Sequence, residues 1–207
     1  MLVFFKQNLT FFSVPKTGTT AYSMAMKPHA DIIFGRRVKH MTVGKYHSKF
    51  APFLRRTFDL TPERFAVMRD PVDQLRSWYK YRSRRKITDS ATSTRGVSFD
   101  EFVLDAISDT PTVSKAIGSQ YRFLSIRDGS VPVHHLFAYE QQDLLKGFLA
   151  DRFEEDLTFK DKNVSPDIPA PISPEVEAKL RAARQQEFDL YARIRDAGGV
   201  LRDYPTP

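Results

Sequence analysis

The sequence predicts an α/β fold, a three-layer sandwich around a central, mainly parallel sheet. Apolar, β-prone runs alternate with segments of helical period along the 207 residues. Two of these runs, closing near Val14 and Met68, pass through short loops directly into helices. The length suits a single domain over residues 1–207 with a substantial core. With 41% hydrophobic and 28% charged residues, the chain has the balance of a globular protein rather than a disordered one.

Residues 1–5, MLVFF, are too short for a membrane span or a signal core and read as a strand. Leu9, Phe11, Phe12 and Val14 form a second, buried-strand pattern. PKTGTT at 15–20 follows, and the Ala, Met and Ser residues after it read as a helix. Such a junction suits an anion, because loop amides and the helix N-terminus direct N–H groups and partial positive charge at one point. Gly18 lets the backbone approach closely, Lys16 adds a full charge, and Thr19 and Thr20 offer hydroxyls. The common nucleotide cradle, G-x-x-x-x-G-K-[ST], carries its lysine after the second glycine. Here Lys16 precedes Gly18 and follows a proline. The plainer alternative is an ordinary strand-to-helix turn with Gly18 for its conformation and a threonine cap.

Residues 31–34 read as a short strand, and 35–42 as a loop entering a helix that carries Tyr46, Phe50, Phe53 and Leu54. Residues 65–82 repeat the strand-loop-helix theme. Arg69 stands at the strand's end, the helix begins near Pro71, and Ser77 follows eight residues after Arg69. The basic run KYRSRRK at 80–86 continues that helix, either as a solvated face or as an attractor for an acidic acceptor. Residues 88–96 are polar and read as a loop over substrate. Ser98 and Glu101 form a capping box, with Phe99, Phe102, Val103 and Ile107 at helical spacing behind it.

Residues 120–124 and the strand HHLFAYE at 134–140 complete the core. Adjacent His134 and His135 face opposite sides of that strand and read as structural. Residues 144–153 are helical and 160–174 a proline-rich loop. Ser173, Pro174 and Glu175 open one long last helix with the stripe Val176, Leu180, Ala183, Phe188, Tyr191 and Ile194, ended by Gly198-Gly199.

Taken together, PKTGTT and RDPVDQLRSWY resemble the sulfotransferase superfamily that uses 3′-phosphoadenosine-5′-phosphosulfate, most closely its carbohydrate-type branch. The first is similar to the family's 5′-phosphosulfate loop. The second is similar to its 3′-phosphate motif, R-[DN]-P-x-x-R-x-x-S-x-Y. About fifty residues separate them, as in the family, and the likeness runs to about Tyr191. The resemblance implies a fold related to P-loop kinases and sulfuryl transfer from that donor to an acceptor hydroxyl, with a carbohydrate as the expected acceptor. It implies that Lys16, Thr17, Gly18, Thr19 and Thr20 hold the 5′-phosphosulfate and that Arg69 and Ser77 hold the 3′-phosphate. Lys16 would also stabilise charge on the departing phosphate, and no metal is expected.

In the carbohydrate-type branch a histidine between the two motifs serves as general base, while other members use glutamate. His40 is the histidine whose setting matches, with His47 a weaker candidate. An unperturbed imidazole is largely neutral at pH 7 and accepts a hydroxyl proton, which lysine does only after a large pKa shift.

The net charge of +7 suits an anionic ligand or an acidic glycan, and no nucleic-acid partner is expected. The chain has no cysteine, so disulfides and thiol chemistry are excluded. No apolar run reaches the length of a membrane span, and the chain reads as cytoplasmic. Two rival classes remain. One is a P-loop phosphotransferase using ATP, for which Asp70 is the nearby carboxylate able to hold a metal. The other is a non-catalytic polyanion-binding protein.

Overall fold

The computed structural model describes residues 1–84, 91–159 and 168–205. Among them runs a six-stranded sheet of order β3-β1-β2-β4-β5-β6, formed by β1 (Leu2–Phe4), β2 (Leu9–Phe12), β3 (Ile32–Ile33), β4 (Glu63–Met68), β5 (His135–Ala138) and β6 (Val200–Leu201). The chain is therefore α/β, but the sheet is mixed rather than mainly parallel. β2, β4 and β5 are parallel, with Phe11 opposite Phe65 and Ala66 opposite Leu136. β1 lies antiparallel to both β2 and β3, and β6 antiparallel to β5. Only four residues separate β1 from β2, with Asn8 at φ 48° and its N–H donating to the Phe5 carbonyl. A connection that short closes a hairpin, whereas a parallel pair needs a crossover of a dozen residues or more.

The central strands are apolar on both sides because both faces are covered. Alternate residues divide between two cores. Phe12, Ala66, Met68 and Leu136 meet Tyr46 and Leu54 with Leu190 and Ile194. Phe4, Phe11, Phe65, Val67 and Phe137 meet Tyr22 and Met26 of α1 (Thr19–Met26) and Leu145 and Leu149 of α7 (Gln142–Phe153). Each fully buried ring contributes about 1.5–3 kcal/mol relative to an exposed one. A third core lies off the sheet. It joins Val72, Leu75 and Tyr79 of α4 (Pro71–Arg82) to Phe102 of α5 (Phe99–Ala106) and Leu180 of α8 (Pro174–Ala183).

Two expected helices are interrupted. The first divides into α2 (Val43–Lys45), a π-helical turn Tyr46–Phe50 and α3 (Ala51–Phe58). Pro52 has no N–H to give the Ser48 carbonyl, and the Ala51 N–H bonds the Tyr46 carbonyl five residues back. The last helix divides at Arg184 into α8 and α9 (Gln185–Asp196). Val176 and Leu180 serve the off-sheet core while Tyr191 and Ile194 serve the sheet, so one apolar stripe packs against two bodies.

The basic run 80–86 also differs from its expectation: α4 ends at Arg82, and Arg85 and Lys86 lie outside the described residues. Arg82 is buried and donates to the Val113 and Lys115 carbonyls, so it is no solvated face. The expected loops at 88–96 and 160–174 lie partly outside the described residues. His134 Nδ1 accepts the Arg64 N–H at 2.7 Å, and His135 Nε2 meets Glu63 Oε2 at 2.8 Å. No helix among the described residues is long and apolar enough to cross a membrane.

Candidate functional site

β2 and β4 are parallel neighbours, so the loops leaving their C-terminal ends emerge side by side, where open α/β sheets place ligands. The loop after β2 is curled by two left-handed residues, Lys16 at φ 68° and Gly18 at φ 71°. Glycine takes that conformation without cost, whereas lysine does not, and strain of this kind concentrates at ligand-binding loops. A Cβ on Gly18 would stand 3.0 Å from the Tyr139 ring and 3.2 Å from that of Tyr22. Thr17 Oγ1 donates to the Val14 carbonyl at 2.9 Å, so this hydroxyl shapes the loop instead of facing outward.

Gly18 is the N-cap of α1. No side chain caps this end, and its first turn holds no acidic residue. Among the described residues, the N–H groups of Gly18, Thr19 and Thr20 find no acceptor. A helix N-terminus with open donors and no acid suits an anion.

Cations gather around it. The Lys16 ammonium lies 4.0 Å from the Tyr81 ring centroid and 5.2 Å from that of Trp78, both on α4. Burial, then the positive charges of Arg84 and Arg69, lower its pKa to about 8. The Arg69 guanidinium stacks 4.6 Å from the Tyr139 ring, and its buried Nε has no hydrogen-bond partner. Among the described residues, neither Lys16 nor Arg69 enters an ion pair. Ser77 lies one helical turn before Tyr81 and thus on the same face of α4. Its hydroxyl makes no hydrogen bond among the described residues.

The backbone that carries Arg69 is held on both sides. Gln120, at the start of α6 (Gln120–Leu124), accepts the Arg69 N–H at 2.9 Å and donates to the Arg69 carbonyl at 2.8 Å. Glu187 accepts from both the Gln120 side chain and its backbone N–H. The next amide, Asp70 N–H, donates to Glu140, which in turn accepts from Tyr191 at 2.6 Å. The Asp70 carboxylate accepts the Val72 and Asp73 amides at 2.9 and 3.0 Å, capping α4. Burial raises its pKa.

The motif form R-[DN]-P-x-x-R-x-x-S-x-Y has an arginine where this chain has Gln74. Gln74 is buried and donates to the Pro15 carbonyl at 3.3 Å, tying α4 to the first loop. Arg76 is engaged elsewhere, with Asp73 and the Ala170 carbonyl.

His40 reaches the same region. Its Nδ1 lies 2.6 Å from the Ser13 carbonyl, three residues before Lys16. A carbonyl only accepts, so Nδ1 bears the proton and Nε2 keeps its lone pair. Although much of the residue surface is exposed, the crowded ring face bonded to Ser13 loses water, which lowers the pKa against the opposing pull of that carbonyl. With Pro15, Gln74, Trp78, Gln120 and Arg122, His40 lines a cavity of about 250 Å³. His47 does not join this group. It sits at Arg64, 3.3 Å from the guanidinium, near the start of β4.

The structure thus brings Lys16, Gly18, Thr19, Thr20, Arg69, Ser77 and His40 to the C-terminal end of β2 and β4. Sequence reasoning missed Trp78, Tyr81, Tyr139 and Gln120. Trp78 lies inside the second motif and Tyr81 two residues past it, but motif spacing alone gives no reason for a lysine from another loop to rest on them. Comparison with family models, curated proteins and solved structures finds no match for this chain.

Proposed function

We propose that this protein is a sulfotransferase that takes its sulfuryl group from 3′-phosphoadenosine-5′-phosphosulfate, within a fold akin to that of P-loop kinases. The observation that supports the reading best is the meeting of Lys16 and Arg69, both without a carboxylate partner among the described residues, beside the uncapped start of α1. On this reading the Gly18, Thr19 and Thr20 amides hold the 5′-phosphosulfate. Arg69 and Ser77 hold the 3′-phosphate, which distinguishes the donor from ATP.

The acceptor occupies the cavity beside His40. Its hydroxyl oxygen attacks sulfur in line as the proton passes to His40 Nε2. The bond from sulfur to the bridging oxygen breaks, and Lys16 stabilises the negative charge left on the 5′-phosphate. For the rival phosphotransferase reading, Asp70 offers one carboxylate oxygen, since its Oδ1 caps α4.

Calorimetric titration with 3′,5′-adenosine bisphosphate, with AMP and with ATP plus magnesium tests the proposal. Tight binding of the bisphosphate with weak AMP binding is expected. ATP-magnesium binding without bisphosphate binding would replace the reading with a kinase. Binding of neither would leave a polyanion-binding protein.

The pKa shifts of His40 and Lys16 also set an expected pH profile. The base works when His40 is neutral, and its lowered pKa keeps it neutral to a pH below the usual imidazole value. Lys16 acts while protonated, and its charge is lost as pH rises through about 8. In kcat/KM, which reports the free enzyme, the expectation is a bell with its acid limb below about 6.5 and its alkaline limb near 8. In kcat the alkaline limb moves upward, because bound donor phosphates favour the lysine cation. An alkaline limb unchanged by Lys16→Arg would remove Lys16 from that assignment.

A further inference from the structure

The opposite end of β4 carries a second set of polar side chains, grouped around Arg64. Arg64 is five residues before Arg69, and at about 3.3 Å per residue the strand separates them by roughly 17 Å. Arg64 enters no ion pair among the described residues, and its Nε is buried without a hydrogen-bond partner. One terminal nitrogen donates to the Pro132 carbonyl at 3.2 Å and to His47 Nδ1 at 3.3 Å. The guanidinium lies between two aromatic rings, 5.4 Å from that of Tyr46 and 5.8 Å from that of Tyr204.

His134 packs beside Arg64 and fixes its backbone. It is only 2% exposed, and its Nδ1 accepts the Arg64 backbone N–H, so the proton of the neutral ring sits on Nε2. Burial, then the charge of Arg64, lowers its pKa to about 4, which keeps the ring neutral at pH 7. The Pro205 carbonyl is near enough to favour protonation, yet Nε2 has no aligned hydrogen bond. Buried polar groups without partners are uncommon in folded proteins and call for a cause.

These groups line one cavity of about 380 Å³, whose other walls include Tyr46, Pro52, Leu60 and Tyr204, with Arg55 at its rim. Asp128 acts on His47 electrostatically but does not pair with it. Its carboxylate accepts the Ser130 N–H. We propose that this cavity binds a small organic carboxylate with a flat apolar body, its charge on the Arg64 guanidinium. A carboxylate matches the planar guanidinium, one inner fixed charge with a second only at the exposed rim suits a monoanion, and the apolar walls select a ring over a hydrated phosphate. The site does not depend on the sulfotransferase reading.

The test is an NMR titration of the full chain with benzoate, using benzamide as the uncharged control. Saturable shifts at the amides of His47, Arg64, His134 and Tyr204 are expected. Loss of the charge should weaken binding by at least about tenfold, whether through benzamide or through Arg64→Leu. If Arg64→Leu does not fold, Arg55→Gln, at the exposed rim, should still weaken benzoate binding by about threefold. Equal binding of benzamide, absence of saturable shifts, or displacement of benzoate by 3′,5′-adenosine bisphosphate would overturn the proposal. The last result would place the carboxylate at the α1 end instead.

Discussion

Replacing Lys16 with alanine should lower kcat by two or more orders of magnitude while donor affinity falls far less. The ammonium rests 4.0 Å from the Tyr81 ring, on the α4 side of the uncapped α1 terminus. A donor aimed at charge that develops only in the transition state is worth about 2.7–4 kcal/mol, a factor of 10²–10³ in rate. Ground-state affinity changes less, because the Gly18, Thr19 and Thr20 amides and Arg69 remain. The substitution also removes a left-handed lysine and its aromatic contacts, so thermal unfolding should accompany the kinetics. A kcat within threefold of the parent, with an unchanged fold, would exclude Lys16 from the chemistry.

Arg69→Ala should act on binding instead. A hydrogen bond to a charged group contributes about 1.5–3 kcal/mol, so loss of the guanidinium should weaken bisphosphate binding by roughly 10- to 150-fold. AMP, which lacks the 3′-phosphate, should lose little, and the preference between the two should largely vanish. The backbone of Arg69 is fixed through its own N–H and carbonyl by Gln120 and through the next amide by Glu140. Truncation beyond Cβ leaves those bonds in place, which makes affinity readable apart from folding. Calorimetry on the variant decides it: an unaltered ratio of bisphosphate to AMP affinity would put the 3′-phosphate somewhere other than beside Arg69.

Much of this arrangement was legible before the structure, and the reasons differ by element. The strands before Lys16 and Arg69 showed as continuous apolar runs because each is buried on both faces. The capping box at Ser98 is local chemistry and formed as read. What escaped depends on distant partners. β6 is a two-residue edge strand whose existence rests on pairing with β5. The break at Arg184 coincides with a buried contact in which Arg184 lies 3.6 Å from Glu187, itself bonded to Gln120, and no helical pattern announces that. Gln120 looked like core and proves to hold the Arg69 backbone. His40 and His47 differ by one helix entry in sequence, yet the Ser13 carbonyl takes one and Arg64 the other.

The position of Trp78 has a practical consequence. It is the only tryptophan in the chain, and its ring faces the Lys16 ammonium at 5.2 Å while also lining the His40 cavity. All indole emission therefore originates between the loop and the cavity, beside a cation that a bound phosphate would draw away. The protein carries an intrinsic fluorophore at the junction of its two proposed substrates, so their order of arrival can be followed by stopped-flow mixing on the unlabelled chain.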